Sequence, residues 1–165
     1  MKRRDLLDRK DRHPDAYTKA LALLARREHS VRELSTKLAA RGYADDEALA
    51  AIARLQEQGY QSDARFAEAL TRARSDQGYG PNRLRAELKN HGIEGGMIEH
   101  AIAALDINWQ TSARRQLRRR RSARSENIDA AERARRARFL LRRGFDPATV
   151  RAITRADIDA SGEIE

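Results

Sequence analysis

Asp45-Asp46-Glu47 sets three carboxylates in a row, and carboxylates are the donors a divalent cation takes. Neighbouring residues do not face one another on a helix, so these three do not converge on one ion. Acids in the first turn of a helix, beside its positive end, account for the triplet without chemistry. His13, His29, His91 and His100 stand at no metal-ligand spacing. Gly78-Tyr79-Gly80 has the glycines of a phosphate loop but not its Lys-Ser/Thr. The chain has no cysteine, which excludes a disulfide framework and any Cys-ligated zinc or iron–sulfur site. The reading is a protein with no catalytic residue, no metal and no cofactor. A small nuclease using the acidic triplet is the enzyme alternative.

Arginine is the residue type with a pattern. Arg114, Arg115, Arg118, Arg119, Arg120 and Arg121 cover more than one face of one helical segment; Arg133, Arg135, Arg136, Arg138, Arg142 and Arg143 do the same on the next. In the middle of the chain Arg72, Arg74, Arg83 and Arg85 flank Gly78-Tyr79-Gly80-Pro81, and Arg26, Arg27 and Arg41 hold comparable places earlier. The guanidinium is a planar fork that donates two bonds at once to phosphate or carboxylate. DNA and an acidic protein surface are therefore both open as partners. About half of these arginines are expected to serve a partner, since a partner contact needs only some of them.

The net charge of +9 is unevenly placed. Residues 107–145 hold 13 Lys/Arg against 3 Asp/Glu, whereas residues 1–106 hold 19 against 17. A solvated surface usually mixes signs, so the one-sided segment points to a polyanion rather than to a basic helix pair that binds nothing. Tyr79, in a corner, is the aromatic expected to be exposed; Trp109 shares a face with Ala113 and Leu117 and is assigned to the core.

The elements that would carry these side chains are all helical, since no segment alternates with period two. Asp15 caps a first helix with Ala16, Tyr17, Ala20, Leu21 and Leu24 on one face. Ser30-Val31-Arg32-Glu33 is a capping box in which Glu33 reaches back to the cap; Val31, Leu34 and Leu38 follow, and Gly42 stops the helix. A third helix carries Leu49, Ile52 and Leu55 to Gly59. The fourth, from Ser62 or Asp63, turns Phe66, Leu70 and Ala73 inward. Pro81 opens the fifth, with Leu84 and Leu88, which stops at Gly92. The sixth carries Met97, Ile98, Ala101, Ile102 and Leu105. The seventh spans about residues 108–123, and Ser122 to Asn127 breaks the pattern. The eighth, from Asp129, ends at Gly144, and Asp146-Pro147 opens a ninth with Val150 and Ile153.

Leu34, Leu38, Gly42 and Tyr43 match Leu84, Leu88, Gly92 and Ile93, and Leu140, Gly144 and Phe145 match the second half of that pattern. The fold expected is all-α: three tandem three-helix repeats, helix-turn-helix-like, in an elongated, curved array. The boundaries are a mobile charged arm at 1–14, repeats at 15–59, 60–106 and 107–156, and a frayed acidic tail at 157–165. The apolar residue after each stop glycine is read as the contact that accompanies a glycine cap, not as a base-stacking aromatic. No run of about 18 apolar residues exists, and the charged N-terminus lacks the apolar region of a signal peptide. The cytoplasm is the compartment expected.

Arg27-Glu28-His29-Ser30 with Glu33-Leu34, Lys37-Leu38 and Gly42 resembles the first signature of the RecX regulators of bacterial RecA. Gly59-Tyr60, Asp63 and Arg65-Phe66-Ala67 resemble the second. Gly78-Tyr79-Gly80, Arg83-Leu84, Glu87-Leu88 and Gly92-Ile93 resemble the third, and Arg143-Gly144-Phe145 the closing one. Leu84 stands where isoleucine is frequent, and Asn90-His91 replaces a basic pair. The resemblance covers about residues 16–155. It implies a monomer of three-helix repeats that binds single- and double-stranded DNA and the groove of the RecA filament. It also implies modulation, usually inhibition, of RecA in recombination, repair and the SOS response, with no catalytic residue and no membrane partner. A DNA-binding helical protein for which RecA is irrelevant is the alternative.

Overall fold

In the computed structural model the described residues are 14–120 and 129–155. They form helices α1 (Ala16–Leu24), α2 (Val31–Ala39), α3 (Asp45–Glu57), α4 (Asp63–Asp76), α5 (Pro81–Asn90), α6 (Gly95–Ala103), α7 (Trp109–Arg120), α8 (Ala130–Arg142) and α9 (Pro147–Thr154), with no strand among them. The arm, Arg121, the break at 122–127 and the acidic tail expected from the sequence fall wholly or almost wholly outside the described residues. The chain divides into two compact units, one up to Phe66 and one from Ala67 on.

The same closure ends α2, α3, α4, α5 and α8. Gly42, Gly59, Gly78, Gly92 and Gly144 all have φ between +74 and +85°, which costs a residue without Cβ little. The amide after each glycine then reaches back five residues: Tyr43 to Leu38, Tyr60 to Leu55, Tyr79 to Arg74, Ile93 to Leu88 and Phe145 to Leu140, at 2.8–3.3 Å. This bond satisfies carbonyls that the helix leaves unpaired. It also folds the following side chain back over the helix end. Ile93 and Phe145 are buried and Tyr43 packs on the core, whereas Tyr60 is exposed. The apolar-contact reading holds at three of the four positions.

In the first unit α1 and α2 pack on α3. Ala16, Ala20, Leu34, Leu38, Ala48, Ala51, Ile52 and Leu55 form its core. Alanines on α1 and α3 let the two backbones approach closely, and each buried leucine contributes about 2 kcal/mol of apolar burial. Asp15 accepts from the Thr18 amide (2.7 Å) and Ser30 from the Glu33 amide (3.1 Å), as their cap positions require. Glu33 does not complete the capping box; Arg27 and His29 hold its carboxylate instead. The cap of α3 is Ala44, with no side-chain bond, and Asp45, Asp46 and Glu47 form the first turn.

Helical phase corrects three inward assignments. Leu49 is exposed because the buried stripe of α3 runs Ala48, Ala51, Ile52, Leu55. Met97 is exposed because that of α6 runs Ile98, Ala101, Ile102. On α4 the buried residues are Phe66, Ala67 and Thr71, leaving Leu70 half-buried and Ala73 exposed. Thr71 is tolerated there because its hydroxyl donates to the Glu68 carbonyl (3.0 Å).

In the second unit α5 packs on α6, and α7, α8 and α9 pack on one another. Ala113, Ala137, Leu140, Phe145 and Val150 make the core of the last three helices, with Trp109, Leu117, Phe139, Leu141 and Ile153 at its edge. The end of α8 is stitched to the start of α5. The Gly80 amide donates to the Arg143 carbonyl (2.8 Å) and the Asn82 amide to the Gly144 carbonyl (2.9 Å). Amides left free at one helix start thus meet carbonyls left free at another helix end. The approach leaves no room for side chains. A Cβ on Gly80 would lie 2.5 Å from the Gly144 oxygen, and one on Gly144 would lie 2.4 Å from the Arg83 nitrogen.

Candidate nucleic-acid interface

The twelve residues of α7 include no carboxylate. Ala113 and Gln116 are buried and Trp109 and Leu117 half-buried, so Arg114, Arg115, Arg118 and Arg119 stand on the solvent side. None of these four pairs with a carboxylate among the described residues. On a helix of 1.5 Å rise per residue they fall within about 7.5 Å along the axis. Arg120, also exposed, places its guanidinium 4.6 Å from the centre of the Phe139 ring.

Helix α8 is different. Its Glu132 is bound by Arg135 (2.9 Å) and Arg136 (2.8 Å). Hydrogen bonds from Arg136 and then Arg135 hold that carboxyl below the usual glutamate range. Arg133, Arg138 and Arg142 have no carboxylate partner among the described residues. Arg143 turns inward: its Nη1 donates to the Gln77 carbonyl (2.8 Å) and the Gly78 carbonyl (3.3 Å), and its guanidinium lies 5.4 Å from the Tyr79 ring and 5.2 Å from the Phe139 ring. It fastens the end of α8 to the end of α4.

The other candidate arginines divide in the same way. Arg74 grips both oxygens of Glu87, at 2.6–2.9 Å, and donates to Gln77. Hydrogen bonds from Arg74 hold the Glu87 carboxyl down. Arg85 grips Glu99 through two bonds of 2.7 and 2.8 Å. Arg27 is clamped on Glu33 and also donates to the Glu28 carbonyl (2.9 Å). Burial pushes the Glu33 carboxyl up, but hydrogen bonds from Arg27 and His29 outweigh it and bring its pKa down to about 2. Arg41 donates to the Lys37 carbonyl (2.7 Å) and forms no pair with a described carboxylate. Arg26 and Arg72 are exposed and form no pair with a described carboxylate. Arg83 lies 5.6 Å from the Tyr79 ring. That ring is half-buried, and the guanidiniums of Arg83 and Arg143 both lie over it.

Three residues with no site role expected from the sequence do structural work. Arg65 binds Glu28 (2.8 Å) and the Tyr60 carbonyl (2.9 Å). Gln61, buried, donates to the His29 carbonyl (3.1 Å), and Asp63 accepts from the Val31 amide (2.9 Å). Together they fasten the α1–α2 loop to the first turn of α4. Asp63 and Arg65 carried the resemblance but no chemistry, and Gln61 gave no signal of its own. Within the acidic triplet, Glu47 accepts from the Ala16 amide (3.4 Å) and Asp46 from the Glu47 amide (2.9 Å), and no group of three metal-capable side chains occurs among the described residues.

Tandem three-helix units carrying arginines that pair with no described carboxylate define an all-helical protein of repeated domains. Family models agree with that class: RecX, first three-helix domain, matches residues 16–55; the second, residues 62–102; the third, residues 108–154. The regulatory protein RecX of Stenotrophomonas maltophilia (strain R551-3) is 47% identical over 151 residues, covering 92% of each chain. That of Xanthomonas axonopodis pv. citri (strain 306) is 46% identical over 141 residues, 86% of each. The crystal structure of RecX from Lactobacillus salivarius superposes with a TM-score of 0.69 at 21% identity, covering 85% of this chain and 92% of that one. The chain belongs to the RecX family of regulatory proteins. None of the helices among the described residues is long and apolar enough to cross a membrane.

Proposed function

We propose that this protein regulates the RecA recombinase in the cytoplasm by binding along the groove of the RecA–DNA filament. It inhibits ATP hydrolysis and strand exchange, and so acts in recombination, DNA repair and the SOS response. It works as a monomer, by binding alone, on filaments formed on single- or double-stranded DNA. Membership of the RecX family supports the RecA assignment. The observation that carries the contact is α7, whose four outward arginines have no carboxylate on their own helix. Such a face attracts phosphate at long range and grips it with two bonds per guanidinium. The preferred DNA contacts are Arg114, Arg115, Arg118, Arg119 and Arg120, with Arg142, Arg26, Arg41, Arg72 and Arg83 as further ones. Arg27, Arg74, Arg85, Arg135, Arg136 and Arg143 hold the fold.

The test is RecA ATPase and strand exchange on single-stranded DNA with this protein titrated in. Inhibition well below the concentration at which the protein alone binds DNA is expected. Tight duplex binding without any effect on RecA would replace this reading by that of a RecA-independent DNA-binding protein, which the arginines of α7 would equally serve.

A further inference from the structure

A hollow of about 340 Å³ opens in the second unit, between α5, α6 and the turn from α6 to α7. Arg85, Glu99, Ile102, Asp106, Ile107 and Trp109 line it. Its volume is at the small end of the range for ligand pockets, enough for one side chain. Three of its features point to a cation. Arg85 is already matched to a carboxylate, since Nε and Nη2 donate to Glu99 while Nη1 donates to Asn82. Asp146 also lies within electrostatic reach of it. The Asp106 carboxylate, by contrast, accepts no hydrogen bond from a described residue. Two carboxylates therefore line the hollow against one guanidinium, in a chain whose net charge is +9.

Backbone and ring add to the charge. Asp106 has φ +49, a left-handed conformation that non-glycine residues adopt at a cost and that collects at binding sites. Trp109 is half-buried, and its indole N–H has no partner among the described residues. An indole face is the strongest aromatic partner for a cation, and a guanidinium matches it in shape.

We propose that this hollow receives one arginine side chain of a protein partner, with the guanidinium on the Asp106 carboxylate and its stem against Trp109 and Ile107. The site goes beyond the polyanion contact, because phosphate recognition needs none of these residues. It gives a strongly basic protein a second, oppositely charged foothold, suited to a partner surface that presents a positive side chain.

Trp109 is the only tryptophan in the chain, so its indole N–H resonance reports on the hollow alone. The full-length protein is titrated with N-acetyl-arginine amide, with the neutral citrulline analogue and with inorganic phosphate. The expected result is a saturable shift of the Trp109 resonance by the arginine probe at millimolar concentration. The citrulline analogue should bind about tenfold more weakly, and phosphate should leave the resonance in place. Asp106→Asn keeps a residue that tolerates positive φ and removes the charge; it should weaken the arginine probe by about tenfold. An equal response to citrulline, a shift by phosphate, or no saturable shift by arginine would overturn the proposal. So would undiminished binding to a folded Asp106→Asn protein. Because no RecA or DNA is present, the outcome is independent of the filament reading.

Discussion

Replacing Arg114, Arg115, Arg118 and Arg119 together by alanine should flatten the salt dependence of DNA binding. Each phosphate that an arginine neutralises contributes about −0.9 to the slope of log affinity against log salt on duplex and about −0.7 on single strands. Four contacts from α7 therefore account for a slope of about −3.6 on duplex, worth about a hundredfold in affinity between 50 and 200 mM salt. The control is the quadruple variant of Arg74, Arg85, Arg135 and Arg136, which removes the same charge from the chain. Those four already sit on Glu87, Glu99 and Glu132, so their loss should change the slope by less than about one unit. It should lower thermal stability instead, because it strands Glu87, whose side chain is 19% exposed. The assay is fluorescence anisotropy on labelled duplex and single-stranded DNA at several salt concentrations, with circular dichroism to check that both variants fold. Equal slope changes from the two variants would refute the division of the arginines by their partners.

Gly144→Ala should destabilise by about 2–4 kcal/mol, a fall in midpoint of about 5–15 °C, since the added Cβ meets the Arg83 backbone and the residue sits at positive φ. Gly42→Ala, where no atom lies within 4 Å of the added carbon, should lose only about 1–2 kcal/mol; equal losses in thermal unfolding would remove the close approach as the cause. Glu33 ionises at about 2 in the folded chain against about 4.3 unfolded, so its contribution is full above the unfolded value and fades as pH falls toward 2. It is worth up to about 3 kcal/mol, so Glu33→Gln should be less stable at pH 7 and lose less stability between pH 5 and 2 than the native chain; parallel urea-unfolding curves across that range would contradict it. Arg143→Lys should lower the midpoint by several degrees while leaving the salt slope unchanged, because Nη1 serves the Gln77 and Gly78 carbonyls while the planar guanidinium lies over the Tyr79 and Phe139 rings; a changed slope would return Arg143 to the DNA contact.

Several residues that carried the resemblance, with their neighbours, turn out to be fastenings. Glu28 and His29, beside Val31, meet Asp63 and Arg65, beside Gln61, across the loops of the first unit; Gly80, beside Asn82, meets Arg143 and Gly144 in the second. Helix number, type and ends were legible in the sequence because they depend on local groups: a cap oxygen three residues from an amide, a glycine that accepts positive φ, apolar residues at helical spacing. Charge was equally legible as a sum, and the thirteen basic residues of 107–145 stand out without any structure.

Tertiary structure decided where that charge is spent. The sequence treats Arg74 and Arg72 alike, yet one faces Glu87 and the other faces solvent, because Glu87 comes from the next helix. Arg143 and Arg142 are neighbours, and only the first reaches the Gln77 carbonyl, 66 residues away in the chain. Leu49 and Ala48 differ by one position, and the phase of α3 against α1 and α2 chose the smaller residue for the core. Composition and local spacing fix which elements form and how much charge they carry. Pairing, burial and hollows depend on residues far apart in the chain, and packing alone sets the distances between them.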